Sequence, residues 1–478
     1  MNHKQYQNPL IQRYASDAMS YIFSPEFRFR TWRKLWIALA KSQKNLGLNI
    51  EQEQIDELIA FKDNINYDIA WEHEKRTKHE VMSHIHAYGD QCPKAKGIIH
   101  LGATSAYVLD NTDIIQMKEA LFIIKKQLVN LISTLKGLSI LYKNQATLGF
   151  THYQPAQPTT VGKRIALWLQ DLLYDYHELI FRIKNLGFRG VKGTTGTQNS
   201  FLKLFEGDHK KVKELDMRVT KEMGFEKPIM VTGQTYSRKL DYFIMSILSS
   251  IAQSCYKFSN DIRLLQNLGE VDEPFEEDQV GSSAMPYKRN PMRSERIASL
   301  ARYVINLTQN AAFTSANQWL ERTLDDSANK RLSIPEAFMG VDTILTLYQN
   351  ISRGLKVHKK VIEKHLEDEL PFMVTEDIIM ESVKRGGDRQ EIHEIIRKNS
   401  IEAVKRIKEL GERNPLLDLL GQNEKIPFTT AELNKFCKAE QLVGLSKTQV
   451  EDFINEEVEP ILRIEKDLIE NKSLEIKV

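Results

Sequence analysis

From Ile114 onward, apolar residues recur at alternating steps of three and four: Ile114, Met117, Leu121, Ile124, Leu128, Leu131, Leu135, Leu138. That is the period of one face of an α-helix. Asp110 or Asn111 is placed to cap it, and neither proline nor glycine interrupts it before Gly137. A helix from Asn111 to Gln145 would be roughly 50 Å long. A second run, Leu240, Ile244, Ile247, Ile251, Cys255, Phe258, Ile262 and Leu265, has no Gly or Pro between Arg238 and Asn267. A third, Lys163 to Leu186, is equally unbroken. Helices this long exceed the globular mean and need partners along their whole length. A long antiparallel bundle supplies them, and such bundles often associate between chains.

Before about Asn111 the pattern breaks into shorter amphipathic pieces with loops, ending in the turn region Gly97 to Thr104. After about Leu366 the long periods disappear, and Pro371, Gly386-Gly387, Pro415 and Pro427 punctuate the chain. The fold expected is therefore all-α in three parts: residues 1–110, a central long-helix bundle over 111–366, and a C-terminal helical domain over 367–478. No repeat, low-complexity tract or extended strand pattern stands out.

Charge narrows the partners. Sixty-six basic side chains against 64 acidic ones leave a net charge of +2, so neither nucleic acid nor a membrane surface is an expected partner. Any anion site must be a local cluster. Three cysteines (Cys92, Cys255, Cys437) are too few and too odd for a disulfide framework, which points to a reducing compartment. Met1 to Leu10 lacks the apolar core of a secretory signal, and the longest charge-free run, Tyr242 to Tyr256, is too short and serine-rich to span a bilayer. A cytoplasmic location is expected.

Chemistry concentrates in Gly281-Ser282-Ser283-Ala284-Met285-Pro286-Tyr287-Lys288-Arg289-Asn290-Pro291. Gly281 reads as a flexible entry, two hydroxyls follow, and Pro286 and Pro291 bracket a cation and an amide. Pro291 suits the first turn of a helix continuing through Arg293-Ser294-Glu295-Arg296. A helix N-terminus and Lys288 would together make the loop electropositive, a setting for stabilising an anion. His73, His79, His84 and His86 invite a metal reading. The stretch His79 to His84 is one residue too long for the H-E-x-x-H zinc pattern, however, and its histidines diverge on a helix. No metal is expected. Gly162-Lys163 and Gly193-Thr194-Thr195-Gly196 both fail as phosphate-cradling loops, so a phosphate would be held by arginines.

The Ser282 loop resembles that of the fumarase/aspartase superfamily, whose members eliminate fumarate from succinyl-containing substrates. Its wording, with Gly102-Ala103-Thr104-Ser105, Thr151-His152-Tyr153-Gln154-Pro155-Ala156-Gln157 and Leu324-Asp325-Asp326-Ser327-Ala328-Asn329, is similar to the branch that cleaves adenylosuccinate, and closest to its animal-type members. The resemblance covers nearly the whole chain, is densest from Trp71 to Pro335, and thins beyond Leu370.

It implies a β-elimination without cofactor, in which a base removes a proton beside a carboxylate and an acid protonates the departing nitrogen. By that resemblance Ser282 is the base, His152 the general acid, Glu295 the carboxylate partner of His152, and His79 a second active-site histidine. Imidazole suits the acid because its ordinary pKa, roughly 6.5, lies near working pH. Lys288 and Asn290 would hold a succinyl carboxylate and Thr151 would bind beside His152. Arg13, Tyr14, Arg322, Ser327 and Arg331 match a phosphate set; Thr104, Ser105, Gln234 and Arg296 match positions around the rest of the substrate. The chain reads Lys78-His79-Glu80 where the common wording is Arg-His-Asp, and lysine cannot reproduce arginine's bidentate fork. The resemblance carries Lys78 and Glu80 over as binding positions. It also implies a homotetramer with sites shared between subunits. Sister lyases acting on argininosuccinate, malate or aspartate are disfavoured by the phosphate set. A non-catalytic structural role, as in lyase-derived lens crystallins, is disfavoured by Ser282, His152, Lys288 and Glu295 occurring together.

Overall fold

The computed structural model describes residues 4–276, 279–285 and 287–470. Two helices of the N-terminal part matter for the site. The first is α1 (Pro25–Asn45), which opens with Ser24 accepting from the Phe27 N–H and with proline in its first turn. Its Trp32, Leu35, Trp36 and Leu39 are buried in the main core. The second is α2 (Glu80–Gln91), whose N-cap is His79.

Five long helices follow: α3 (Ala106–Leu141), α4 (Val161–Lys184), α5 (Lys239–Asn267), α6 (Met292–Ala316) and α7 (Asp326–Gly354). The periodic residues behave as their spacing requires. Ile114 through Leu135 of the first run are at most 1% exposed, and Ile244, Ile247, Ile251, Cys255, Phe258 and Ile262 of the second are equally sealed. Helix α3 starts earlier than its pattern suggests, so Asp110 and Asn111 are not caps but buried residues of its second turn. Asn111 donates to the Gly190 carbonyl and accepts from the Gly190 N–H, while Asp110 pairs with Arg238.

Side-chain contacts fix the helix directions. The Gly162 N–H meets the Tyr142 carbonyl, so α4 runs back along α3. Trp168 bonds Asp261 and Ser250 bonds Asp175, which sets α5 antiparallel to α4. Thr308 reaches the Met245 carbonyl and Arg302 reaches Tyr256, so α6 returns along α5. Gln127 with Asp342 and Gln349 with Thr134 make α7 parallel to α3. The starts of α3, α5 and α7 therefore share one end of the bundle, and the starts of α4 and α6 share the other. With 36 residues in α3, the two ends lie about 50 Å apart.

Two short antiparallel ribbons, β1 (Ala146–Thr151) with β2 (Gln154–Thr160) and β3 (Val271–Asp272) with β4 (Lys356–Val357), correct the expectation of no strands. Pro155 and Pro158 within β2 obscure any strand pattern, and β3 and β4 are two residues each. Beyond α8 (Lys359–Met373), residues Val374, Ile378, Ile392, Ile396, Leu416, Leu420 and Leu433 form a separate small core. Val450, Ile454, Val458 and Ile461 return to the main one. Lys125–Glu465 at 2.8 Å and Lys143–Glu451 at 2.6 Å latch that returning segment to α3 and the turn after it.

One end of the bundle is held by a buried charge network. Arg238 donates to Asp326 at 2.6 Å and to Asp110 at 2.9 Å, and all three side chains are sealed from solvent. Burial alone would raise the Asp110 carboxyl, but Arg238, Lys330 and Arg189 outweigh it and its pKa ends below the ordinary value. Neighbouring Asp241, bonded by the Tyr236 hydroxyl at 2.6 Å, is pushed up to about 6 by burial, which Arg238 only partly offsets. Removing one partner from such a set strands the other. Asp326→Ala should cost about 3–5 kcal/mol, seen as an earlier urea unfolding midpoint; an unchanged midpoint would mean that Asp110 alone satisfies Arg238.

Candidate active site

The expected site residues fall into three patches of one chain. The first sits where α3, α5 and α7 begin. His79, as N-cap of α2, accepts from the Met82 N–H through Nδ1 and places Nε2 3.4 Å from the Ser105 hydroxyl. Thr104, half-buried, immediately precedes Ser105. Lys78 has a left-handed backbone (φ 55°) that turns the chain into the cap, and its side chain is exposed. Glu80 reaches across to Arg331 at 2.9 Å and to Arg28 at 3.0 Å. Arg322 lies 3.5 Å from Asp326, and Gln234 is tied to the Glu321 carbonyl through its backbone N–H. Arg28, Arg322, Ser327, Lys330 and Arg331 line one open cleft of about 180 Å³. This patch thus unites Lys78, His79, Glu80, Thr104, Ser105, Gln234, Arg322, Ser327 and Arg331.

The second patch is the Ser282 loop, at the opposite end where α6 begins. Pro286 lies outside the described residues. The Ser282 hydroxyl accepts from the Met285 N–H at 3.1 Å, and Asn290 donates to the Gly281 carbonyl at 2.9 Å, closing the loop's neck. Gly281 is needed for close approach rather than for positive φ: a Cβ there would stand 2.2 Å from the Lys288 carbonyl oxygen. Lys288 and Glu295 are exposed. The Arg296 guanidinium lies 5.6 Å from the Tyr14 ring centre, and Tyr14 with the exposed Arg13 ends the short turn Leu10–Tyr14 beside it.

The start of α6 departs from expectation. Pro291 is its N-cap, not its first helical residue. The Arg293 and Ser294 N–H groups are taken by the buried Glu273 carboxylate at 2.9 and 3.1 Å, and the Ser294 hydroxyl adds a third bond. Burial raises the Glu273 pKa despite these donors. The positive end of α6 is spent on Glu273 and is not available to activate Ser282. Nothing in the sequence singles out Glu273 as that cap.

The third patch is the tip of the β1–β2 hairpin. Thr151 pairs with Gln154, leaving His152 and Tyr153 as a two-residue turn with φ of 53° and 57°. Both angles are positive, as the preferred hairpin turn demands, yet neither residue is glycine or asparagine. Strain of this kind, about 1–3 kcal/mol per residue, persists where surroundings or function require it. It projects an exposed imidazole from the tip. Among the described residues, no hydrogen bond or ion pair joins His152 to Ser282, Lys288 or Glu295.

The other three histidines that invite a metal reading are placed otherwise. His84 is buried, stacked 3.8 Å from Phe29, with its pKa pushed down to about 4 by burial. His73 stacks on His86 and contacts Asp90 at 3.1 Å.

Comparison with known proteins identifies the scaffold. A family model described as "Lyase" matches residues 13–306, and one described as "Adenylosuccinate lyase C-terminus" matches residues 371–453. The structure superposes on a 3-carboxy-cis,cis-muconate lactonizing enzyme from Pseudomonas putida with a TM-score of 0.81, covering 95% of this chain and 99% of that one at 22% identity. It does so on a fumarate lyase from Mesorhizobium sp. BNC1 with a TM-score of 0.79, covering 95% and 100% at 20% identity. Fold and family model together define a lyase of the fumarase/aspartase kind.

Among relatives named adenylosuccinate lyase, that of Schizosaccharomyces pombe is 49% identical over 99% of both chains. That of Saccharomyces cerevisiae is 47% identical over 100% of both, and that of Schistosoma mansoni 46% over 98% of both. The chain belongs to the adenylosuccinate lyase family, fumarate-releasing carbon–nitrogen lyases of purine nucleotide biosynthesis.

Proposed function

We propose that the elimination takes place where the three patches meet between subunits of a homotetramer. The observation that carries this reading is the separation within one chain: Arg331, His79 and Ser105 at one end of a bundle about 50 Å long, Ser282 and Lys288 at the other. An exposed apolar stripe supports the assembly. Leu167, Tyr174 and Phe181 recur every seven residues along α4 and are 55%, 66% and 52% exposed. Such a face needs a partner.

In this site Ser282 removes the succinyl proton. A serine hydroxyl is a poor base unless its anion is stabilised. The Met285 N–H aimed at Oγ is one stabiliser, and Lys288 is the nearby cation. Lys288 and Asn290 hold a succinyl carboxylate. His152, paired with Glu295 of another subunit, delivers a proton to the leaving nitrogen, and Thr151 binds beside it. His79, Thr104, Ser105, Gln234 and Arg296 surround the nucleotide with Lys78 and Glu80. Arg13, Tyr14, Arg322, Ser327 and Arg331 hold the phosphate. The chain's own residues supply every step, without cofactor or metal.

The same site takes the succinyl-carboxamide imidazole ribotide of purine synthesis, which shares the phosphoribosyl and succinyl groups. In mixtures, each substrate's KM should equal its inhibition constant against the other; independent turnover of the two would require separate sites. The cytoplasm is the proposed compartment. Three free cysteines support it, and no helix among the described residues is long and apolar enough to cross a membrane.

Arg331→Ala should raise the KM for adenylosuccinate at least tenfold with kcat little changed, because a charge-assisted contact worth about 1.5–3 kcal/mol is lost. An unchanged KM would move the phosphate away from this cleft.

The three-part division at 110/111 and 366/367 is likewise proposed. The separate core around Ile378, Leu416 and Leu433 supports its second boundary.

A further inference from the structure

Arg28 is absent from the set of residues that sequence resemblance carries to the substrate. It lies in α1, between Phe27 and Phe29, where its neighbours read as core. In the fold its guanidinium stands 5.0 Å from the Trp32 ring centre and opens into the cleft lined by Arg322, Ser327 and Arg331. Its side chain is 21% exposed. Nη2 donates to Glu80 Oε2 at 3.0 Å, and Arg331 Nη2 donates to the same oxygen at 2.9 Å. Two guanidinium nitrogens that share one oxygen lie within about 6 Å of each other, close enough to contact one phosphate group together.

Among the described residues, the other nitrogens of Arg28 have no hydrogen-bonding partner. A guanidinium carries five N–H donors, and most of those on Arg28 are unspent at the wall of an anion cleft.

We propose that Arg28 is a further substrate-binding residue, a third guanidinium on the anion cleft, and that the Glu80 carboxylate it shares with Arg331 spaces the two arginines for a phosphate. This rests on the reading that the cleft takes the substrate phosphate. The chain's glutamate, where the common wording has aspartate, has one more methylene with which to reach both arginines.

The test is steady-state kinetics on the intact enzyme with Arg28→Met, Arg28→Lys, Glu80→Gln and the double variant Arg28→Met/Glu80→Gln, with inorganic phosphate as competitive inhibitor. Arg28→Met should raise both KM and the phosphate inhibition constant about tenfold, with kcat within threefold. Arg28→Lys should recover most of that, which also separates loss of charge from loss of fold. If Arg28 acted only by holding Glu80, the double variant would match Glu80→Gln alone. The proposal requires it to be weaker by several-fold more, and equality overturns it. If Arg28→Met changes neither constant while Arg331→Ala raises both, Arg28 is not a ligand and the cleft stands. If Arg331→Ala also changes nothing, the cleft reading itself fails.

Discussion

Ser282→Ala should lower kcat by two to four orders of magnitude while KM stays within a few-fold. The hydroxyl's work falls in the transition state, where general-base catalysis is worth about 10²–10⁴-fold. Oγ is only half-buried and accepts a single hydrogen bond, from the Met285 N–H, so its removal leaves no buried group stranded. Ser283→Ala is the control. Ser283 is exposed and has no hydrogen-bonding partner among the described residues, so its loss should be mild. Turnover above a tenth of wild type in Ser282→Ala would place proton abstraction elsewhere.

How that hydroxyl is activated could not be read from the chain. The spacing of Pro291 and the helix after it suggests an electropositive terminus behind the loop. In the fold the Glu273 carboxylate covers that terminus with bonds to Arg293 and Ser294. A capping residue some twenty positions upstream leaves no local signature. Gly281 shows the same gap in a milder form, since its requirement comes from the Lys288 carbonyl across the loop's neck.

Long helices were legible because burial on a helix face imposes a period of 3.6 on many residues at once. Ile114 to Leu135 and Ile244 to Ile262 could hardly be anything else. The His152 hairpin was not legible, because Pro155 and Pro158 erase the alternation by which a strand is recognised. Asp110 was misread for a related reason. An acidic residue near the start of an apolar period looks like a cap, and only the distant Arg238 reveals it as part of a buried ion pair. The site motifs themselves stood out, since each packs several chemically unusual residues into a short stretch. Their arrangement in space did not. His79 sits at one end, and His152 and Ser282 before α4 and α6 at the other, because α3 and the helices beside it run for about 50 Å in directions that contacts between distant residues set.

That separation, and the lack among the described residues of any hydrogen bond or ion pair between the exposed His152 and Ser282, make sharing between subunits the central claim. The measurement that tests it most directly is subunit complementation between two inactive variants, Ser282→Ala and His152→Gln. Each is dissociated mildly, mixed in equal amounts and reassembled, with exchange verified by a mass tag on one variant. If Ser282 and His152 of each site come from different chains of a symmetric tetramer, random assortment leaves about a quarter of sites with both groups intact. Fumarate release should then recover to about a quarter of the wild-type rate. No recovery in a mixture shown to have exchanged would mean that one chain supplies both residues to the same site, and would contradict the account.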